Sequence, residues 1–216
     1  MGERVGTDFI VRWMREIAAG VHEQRDHLTQ LDAAIGDADH GINMDRGFGA
    51  AMQRVEALDG ASPWLVLETV GTSLVLSVGG AAGPLYGSAI RAMGRSVPQT
   101  EDLDGEDLLV ALRAALEEVQ RLGTASPGDK TMVDALVPAI DGFERGLRAG
   151  EGLGAAAARA SAAAEEGSRA TIPMKARKGR ASYLGARSVG HQDPGAASTA
   201  IVFQAFETAA ATEGEL

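Results

Sequence analysis

Residues 104–123 read DGEDLLVALRAALEEVQRLG and form the most regular helical pattern in this sequence. Asp104 stands where a helix N-cap is expected, because its side chain can accept hydrogen bonds from the first free N–H groups. Apolar residues then recur every three or four positions, at Leu108, Leu112, Leu116, Val119 and Leu122. This spacing predicts an amphipathic α-helix that buries one face against other helices.

Helical patterns continue on both sides of this stretch. Upstream, the sequence predicts a helix that follows Thr7 and Asp8 and ends at Gly20, helices over 21–35 and 43–58, and two that begin at Pro63 and Pro84. Downstream, it predicts helices over 131–147, 153–170 and 196–211. Because the connections are short and no linker interrupts them, residues 1–216 are expected to form one all-α domain with antiparallel, up-and-down neighbours.

The composition excludes several classes of protein. Apolar residues make up 45% of the chain, which is too many for a disordered protein. The chain has no cysteine, so disulfides, thiolate metal ligands and a cysteine nucleophile are all ruled out. A net charge of -10 argues against general nucleic-acid binding, and no apolar stretch is long enough for a membrane span. Since the N-terminal residues also lack a signal peptide's apolar stretch, a cytoplasmic protein is expected.

Three carboxylates cluster in one predicted interhelical loop. Asp32 falls in the last turn of a predicted helix, and Asp37 and Asp39 follow the turn at Gly36, so all three can converge. Converging carboxylates repel each other unless cations lie between them, and Mg²⁺ prefers hard oxygen ligands. The spacing therefore predicts a site for a pair of magnesium ions that also bind a phosphate chain, with an acidic helix-capping turn as the alternative. Read alone, the adjacent His40 is typical of a capping or hydrogen-bonding residue rather than a metal ligand.

Three further loops combine glycine with charged or hydroxylated residues. They are SVGGAAGPL at 77–85, SPGDKTM at 126–132 and GHQDPG at 190–195. Glycine lets backbone N–H groups approach a phosphate, and a helix N-terminus favours its negative charge. The first of these loops lacks the Gly-Lys-Ser/Thr ending of a P-loop, and a close helix–helix contact explains its glycines equally well.

A basic segment without any acid precedes the last of these loops and contains Lys175, Arg177, Lys178, Arg180 and Arg187. Such a segment in an acidic chain indicates an anionic ligand, with a solvated loop as the alternative. Arg180 is the candidate phosphate contact, since a guanidinium can bind two phosphate oxygens at once. Taken together, the loops, the carboxylates and the cations predict a nucleotide held through metal ions.

These blocks resemble the L subunits of dihydroxyacetone kinases. The similarity lies in LTQLD at 28–32, GDADHG at 36–41, GGAAGPLYG at 79–87, PGDKTM at 127–132, ARKGRASYLG at 176–185 and GHQDPG at 190–195. The blocks keep the family's order and are spread over nearly the whole chain. The resemblance implies an eight-helix antiparallel up-and-down barrel with the nucleotide site at one open end.

The resemblance also implies a set of site residues. Two Mg²⁺ ions would be bound by Asp32, Asp37 and Asp39. ADP or ATP would contact His40, Gly41, Ile42, Asn43, Ala81, Ala82, Gly123, Met132, Arg180, Asp193, Pro194 and Gly195. Met132 would line the adenine pocket, and Arg180 would be the catalytic residue that faces the phosphates. Ala82 departs from the serine usual in relatives, which removes a hydroxyl contact worth about 1 kcal/mol.

The acidic loop also bears on the source of the phosphoryl group. Family members that consume ATP directly commonly read Gly-Asp-Gly-Asp, whereas those that depend on the phosphotransferase system resemble the GDADHG found here at 36–41. The resemblance then implies a resident nucleotide. A phosphocarrier-like M subunit would phosphorylate bound ADP, and the γ-phosphate would pass to dihydroxyacetone on a separate K subunit.

Two alternative functions remain open at this point. One is an L subunit of an ATP-consuming kinase for dihydroxyacetone or another short ketose such as erythrulose. The other is a nucleotide-sensing module that contacts a transcription regulator. The sugar and the oligomeric state, a homodimer included, are also left open by the sequence.

Overall fold

The computed structural model describes residues 3–99 and 102–212. Within these ranges it contains a 3-10 segment, Arg180–Ser188, and nine α-helices, which are α1 (Thr7–Glu23), α2 (Arg25–Ile35), α3 (His40–Glu56), α4 (Pro63–Ser77), α5 (Ala82–Ser96), α6 (Gly105–Gly123), α7 (Val133–Arg148), α8 (Leu153–Ala170) and α9 (Pro194–Ala211). β-structure in the same ranges is limited to a bridge between Val5 and Leu103. None of the helices described is both long and apolar enough to cross a membrane.

The helices form a closed ring. From α3 to α9 each helix packs against the next in the chain, and both α1 and α2 contact α3 and α9, which closes the ring. Only Gln24 separates α1 from α2, and its N–H still bonds to the Gly20 carbonyl at 3.0 Å. Helices α1 and α2 therefore run as one interrupted member of the ring. This arrangement confirms the eight-helix antiparallel barrel expected from the sequence, with its first helix broken in two.

The prediction that the first helix ends at Gly20 is wrong, since α1 continues to Glu23. Ile17 and Val21 flank Gly20 and are buried, and burying such side chains outweighs the cost of about 1 kcal/mol that glycine imposes on a helix. Glycine also suits the packing, because a Cβ at position 20 would lie 2.8 Å from Ile201 Cγ2 on α9. Gly20 thus allows two helices to approach and does not reverse the chain.

Helix α6 agrees closely with the prediction made from its sequence. One carboxylate oxygen of Asp104 accepts hydrogen bonds from the N–H groups of Glu106 and Asp107, both at 3.0 Å. The Asp107 side chain in turn accepts a bond from the Asp104 N–H, which completes a capping box. Along the apolar stripe, Leu108 is buried, whereas Leu122 at its end is 41% exposed. The cap and the stripe together fix where α6 begins and which face points inward.

Aromatic side chains fill one end of the barrel. The Trp13 and Phe206 ring centroids lie 4.7 Å apart, and Phe143 and Phe9 approach Phe206 at 5.2 and 6.0 Å. All four rings are buried. Phe206 lies about 18 Å along α9 from the helix start, at a rise of about 1.5 Å per residue. The aromatic cluster therefore stabilises the end of the barrel remote from the start of α9.

Alternating helix directions bring four connections to the opposite end. Helices α2, α4, α6 and α8 end there and α3, α5, α7 and α9 begin there, with connections over 36–39, 78–81, 124–132 and 171–193. The four glycine-containing loops noted in the sequence all fall at these connections. The up-and-down topology thus explains how residues far apart in the chain meet at one place.

Candidate functional site

A cavity of about 320 Å³ opens at the end of the barrel where these connections meet. Four helices contribute their first residues to its wall, namely His40 of α3, Ala82 of α5, Val133 of α7 and Pro194 of α9. Helix N-termini carry partial positive charge and N–H groups without intrahelical partners. The cavity therefore favours an anionic ligand, and its volume lies within the range of about 300–1,000 Å³ common for small-molecule sites.

Asp32, Asp37 and Asp39 meet at the edge of this cavity, where each offers a carboxylate oxygen within 4.8 Å of the others. Asp32 is buried near the end of α2, and its Oδ2 accepts bonds from the N–H groups of Asp39 and His40 at 2.9 and 3.2 Å. These bonds fold the loop back onto α2. The three carboxylates converge as the sequence predicts, and their all-oxygen donor set suits Mg²⁺.

Two backbone features distinguish the acidic loop. Gly36 packs directly on the Asp32 side chain, since a Cβ at position 36 would lie 1.9 Å from Asp32 Oδ1. Ala38 has a φ of 62°, in the left-handed region, which costs a residue other than glycine about 1–2 kcal/mol. Backbone strain of this kind concentrates at binding and catalytic loops. In this loop it lies between two of the three candidate metal ligands.

The start of α5 presents backbone to the cavity. Gly79, Gly80, Ala81 and Ala82 all line the wall, and Ala81 is the N-cap residue. Among the described residues, no side chain caps α5, so its first N–H groups are available to the oxygens of a ligand. Ala82 is the first residue of α5 and lines the wall, so its backbone N–H is one of these groups.

Another part of the wall is apolar. Leu85 of α5, Val119 of α6 and Met132 and Val133 at the start of α7 line it. Met132 is only 6% exposed, so its thioether is held by its neighbours. Apolar walls with a few converging polar groups are typical of cofactor pockets. Met132 therefore lies in the part of the cavity suited to a flat heterocycle.

A hydrogen-bonded network joins three helices beside the cavity. His40 Nε2 on α3 lies 2.9 Å from Ser198 Oγ on α9, and the Tyr86 hydroxyl on α5 lies 2.7 Å from the same oxygen and 2.9 Å from Thr199 Oγ1. Burial lowers the pKa of His40, although the neighbouring carboxylates act in the opposite direction, and burial raises the pKa of Tyr86 to about 12. At neutral pH this network therefore contains a neutral imidazole and a protonated phenol.

A buried lysine and a buried aspartate also belong to the cavity wall. Lys130 is 1% exposed and its ammonium donates to the backbone carbonyls of Thr171 and His191. Asp193 caps α9 by accepting a bond from the Ala196 N–H at 2.8 Å. Burial raises the pKa of Asp193 to about 7, against the opposing charge of Lys130, and burial also lowers the pKa of Lys130.

Arg180 reaches the acidic cluster from the first residue of the 3-10 segment. Its Nη2 lies 3.0 Å from Asp37 Oδ2, and its side chain is 65% exposed. Lys178 also lines the cavity and donates to Thr124 Oγ1 at 3.2 Å. The other cations of the basic segment are exposed and lie outside the wall: Lys175, Arg177 and Arg187. The basic segment is thus divided between the cavity and solvent.

Most of the site residues expected from the sequence line the cavity: Asp32, Asp37, Asp39, His40, Asn43, Ala81, Ala82, Gly123, Met132, Arg180, Asp193, Pro194 and Gly195. Gly41 and Ile42 do not line it. Gly41 packs against α2, where a Cβ would lie 2.0 Å from the Arg25 carbonyl oxygen. Ile42 is 50% exposed on α3. Both lie in the first turn of α3 with His40 and Asn43, but on the side of the helix that does not line the wall.

Sequence reasoning assigned no role to Lys130, Tyr86, Ser198 or Thr199. Lys130 and Tyr86 lie inside the sequence blocks that carry the family resemblance, which was the available signal. Ser198 and Thr199 follow a run of small residues at the start of α9, and nothing in that pattern distinguishes them from ordinary helix-packing residues. Their contacts depend on how α5 and α9 pack, so the structure is needed to find them.

Comparison with known proteins identifies the family of this chain. The model of the DAK2 domain family matches residues 34–208. The chain is 39% identical over 201 residues to the PEP-dependent dihydroxyacetone kinase ADP-binding subunit DhaL of Escherichia coli, covering 93% of this chain and 96% of that protein. It is 34% identical to the D-erythrulose kinase of Mycolicibacterium smegmatis, covering 92% of this chain but 34% of that longer protein.

A solved structure shares the fold. The dihydroxyacetone kinase of C. freundii in complex with AMP-PNP and Mg²⁺ matches with a TM-score of 0.72 and 25% identity, over 96% of this chain and 35% of that one. The resemblance to dihydroxyacetone kinase L subunits is therefore confirmed over almost the full described chain. The sequence, the helical barrel and these matches together show that the chain belongs to the DAK2 domain family.

Proposed function

We propose that this chain is the cytoplasmic ADP/ATP-carrying subunit of a phosphoenolpyruvate-dependent dihydroxyacetone kinase. The observation that carries the proposal is the meeting of three carboxylates, uncapped helix N–H groups and Arg180 on one cavity. Each of these features recognises a different part of a metal–nucleotide complex. The similarity to an ADP-binding subunit along 93% of the chain supports the same assignment.

Two Mg²⁺ ions form part of the proposal. Asp32, Asp37 and Asp39 would hold them, since each offers a carboxylate oxygen within 4.8 Å of the others. One carboxylate oxygen of Asp32 is already bonded to backbone N–H groups, which leaves the other for an ion. Bound Mg²⁺ would neutralise the charge of the phosphate oxygens, which three carboxylates alone would repel.

The remaining wall divides between the two ends of a nucleotide. The apolar part around Met132 suits the base, and the α5 N-terminus at Ala81 and Ala82 suits the phosphates. Arg180 can donate two parallel hydrogen bonds to phosphate oxygens, which a lysine cannot do with the same geometry. His40 stays neutral at pH 7 and its Nε2 is held by Ser198, so its ring has a fixed orientation at the cavity edge.

Phosphoryl transfer on such a site depends on positioning and charge. The chain has no cysteine, and the proposal requires no covalent nucleophile on it. Arg180 would hold the transferring group, and the wall residues would exclude competing water. The phosphoryl group would arrive from a phosphocarrier-like M subunit and leave to dihydroxyacetone on a K subunit. The exposed cations Lys175, Arg177 and Arg187 would help to dock acidic partner surfaces.

The test of the proposal is a coupled assay preceded by analysis of the purified protein. We expect the chain to retain ADP through gel filtration in the presence of Mg²⁺. Mixed with a K subunit and dihydroxyacetone, it should turn over repeatedly only when a phosphocarrier and its phosphoryl donor are supplied. The control is the same mixture with ATP and no phosphocarrier.

An ATP-consuming subunit for dihydroxyacetone or erythrulose is the second candidate, and the match to a D-erythrulose kinase favours it. Ala38 argues against this second candidate, because the ATP-consuming form commonly has glycine at this position. Sustained turnover with ATP alone would therefore refute the resident-cofactor proposal and establish the second candidate. Absence of bound nucleotide together with no turnover under either condition would refute both.

A further inference from the structure

The connection between α8 and α9, residues 171–193, forms a loop with a closed base, and we name it the Arg180 loop. At its base the Gly190 N–H donates to the Ile172 carbonyl at 2.8 Å, and the Asp193 N–H donates to Thr171 Oγ1 at 3.0 Å. Arg180 lies near the middle of the loop and reaches Asp37. Whatever fixes the base of the loop therefore also influences where the guanidinium lies.

Lys130 joins the two chain segments that meet at this base, one at Thr171 and the other at His191. Its side chain comes from the connection between α6 and α7, residues 124–132. Its Nζ donates to the Thr171 carbonyl at 2.6 Å and to the His191 carbonyl. Lysine is rarely buried unless its ammonium has partners, and Lys130, which is 1% exposed, has these two carbonyls. An ammonium carries three donors and can bond both carbonyls at once, which a hydroxyl cannot. Both acceptors come from the Arg180 loop, on either side of its base.

The segment that carries Lys130 is itself rigidly held on α7. Asp134 accepts from the Gly128 N–H at 2.5 Å and from the Thr131 N–H at 2.8 Å, one bond to each carboxylate oxygen. Lys130 adopts a left-handed φ of 63° between these two bonds. A further bond, from the Arg177 N–H to the Asp129 carbonyl at 3.0 Å, ties the Arg180 loop to the same segment. Lys130 thus connects a fixed anchor to the loop.

We infer that Lys130 is a positioning residue, which clamps the base of the Arg180 loop to α7 and thereby sets Arg180 over the acidic cluster. The inference rests on the proposed function in one respect, namely that Arg180 contacts the phosphates of ADP. Lys130 acts through Arg180, because both of the bonds made by its ammonium are to backbone carbonyls. Loss of the ammonium should release the loop while the acidic cluster keeps its own bonds to the backbone.

The first experiment measures the loop directly. Because the chain has no cysteine, spin labels can be attached at two chosen positions through Tyr183→Cys, at an 89% exposed loop residue, and Glu117→Cys, on the exposed face of α6. We expect Lys130→Met to broaden the distance distribution between the labels. Lys175→Met, which removes an exposed lysine from the same loop, should leave the distribution unchanged. An unchanged distribution in Lys130→Met would overturn the inference.

The second experiment measures binding of ADP with Mg²⁺ by calorimetry. We expect Lys130→Met to weaken affinity by about 10- to 100-fold, as is common when a group that orients a ligand-binding residue is removed. Arg180→Ala should weaken it similarly, and the double variant should bind no worse than the weaker single variant. Residues that are not in contact normally have additive effects. Additive losses would show that Lys130 does not act through Arg180.

The outcomes separate this inference from the proposed function. Failure of the wild-type chain to bind ADP would refute the function, whereas the label distances would still decide whether Lys130 clamps the loop. If Lys130→Met does not fold, Lys130→Gln replaces it, since its amide retains N–H donors without the charge. Hydrogen exchange in the wild-type protein gives a third measure. The Gly190 and Asp193 amides should exchange as slowly as those of α7, and exchange as fast as at Tyr183 would overturn the inference.

Discussion

Asp37 is the most informative residue at which to test the proposed metal site. Its carboxylate is part of the acidic cluster, yet its side chain is 37% exposed and pairs with Arg180 at the surface. Asp32, by contrast, also holds the loop backbone, so its replacement would disturb the fold of the loop. In the absence of ligand, Asp37→Asn should change stability little. Loss of an exposed ion pair costs about 0–1 kcal/mol, and relief of repulsion among the carboxylates offsets it.

The expected size of the effect follows from binding linkage. A ligand present at about 100 times its dissociation constant stabilises the folded state by about 2.7 kcal/mol. For a chain of this size each kcal/mol raises the melting temperature by about 2–4 °C, so ADP with Mg²⁺ should raise it by about 5–10 °C. If loss of one carboxylate weakens binding by about 100-fold, the same concentration gives about 0.4 kcal/mol, or roughly 1 °C.

Differential scanning calorimetry with and without ADP and Mg²⁺ measures this difference. Asp141→Asn is the matched control, because Asp141 is an exposed aspartate on α7 outside the cavity wall. It should keep the full increase, and EDTA should abolish the increase in every variant. An increase of the wild-type size in Asp37→Asn would remove Asp37 from the metal site and refute the reasoning above.

Three further variants test other parts of the site. Arg180→Lys keeps the charge but not the paired donors, so ADP affinity and transfer rate should fall with no loss of melting temperature; wild-type rates would indicate a solvated arginine. Asp193→Asn keeps the hydrogen bond to the Ala196 N–H without the carboxylate. Because burial raises the pKa of Asp193 to about 7, its contribution to stability is complete below pH of about 4 and is lost as the pH rises to about 7. In urea unfolding, the stability of Asp193→Asn relative to wild type should therefore rise by about 4 kcal/mol over that interval, and a constant difference would contradict the assignment. Ala38→Gly should raise the free energy of unfolding by about 0.5–1 kcal/mol, since relief of the left-handed φ exceeds the added chain entropy; a loss would show that the loop tolerates alanine without strain.

The sequence predicts those parts of the fold that local physics determines. The capping box at Asp104 and the stripe that begins at Leu108 mark α6, and both depend on residues within one helix. The end of the first helix was predicted wrongly because the packing of Gly20 against Ile201 on α9 decides it. The 3-10 segment Arg180–Ser188 was not predicted either, since it lacks the apolar periodicity of an α-helix.

The candidate site likewise has features that the sequence predicts and features that it does not. Convergence of the carboxylates follows from their spacing around Gly36, a short-range property. The burial of Lys130 and the contact of Tyr86 with Ser198 arise from segments that meet only in the folded barrel. Gly41 illustrates the opposite error, because a residue next to the site in sequence packs against Arg25 on α2 instead of lining the wall.

The alternating direction of the helices also determines where the barrel can be joined to other polypeptide. Glu3 bonds to the Leu153 N–H at the start of α8, and Arg12 bonds to Thr212 beyond the end of α9, so both described ends of the chain lie opposite the cavity. Polypeptide joined at either described end would therefore be attached on the side of the barrel opposite the cavity mouth. One barrel can thus serve as a separate chain or as a segment of a longer one, and the C. freundii kinase, of which this chain covers 35%, is an example of the second arrangement.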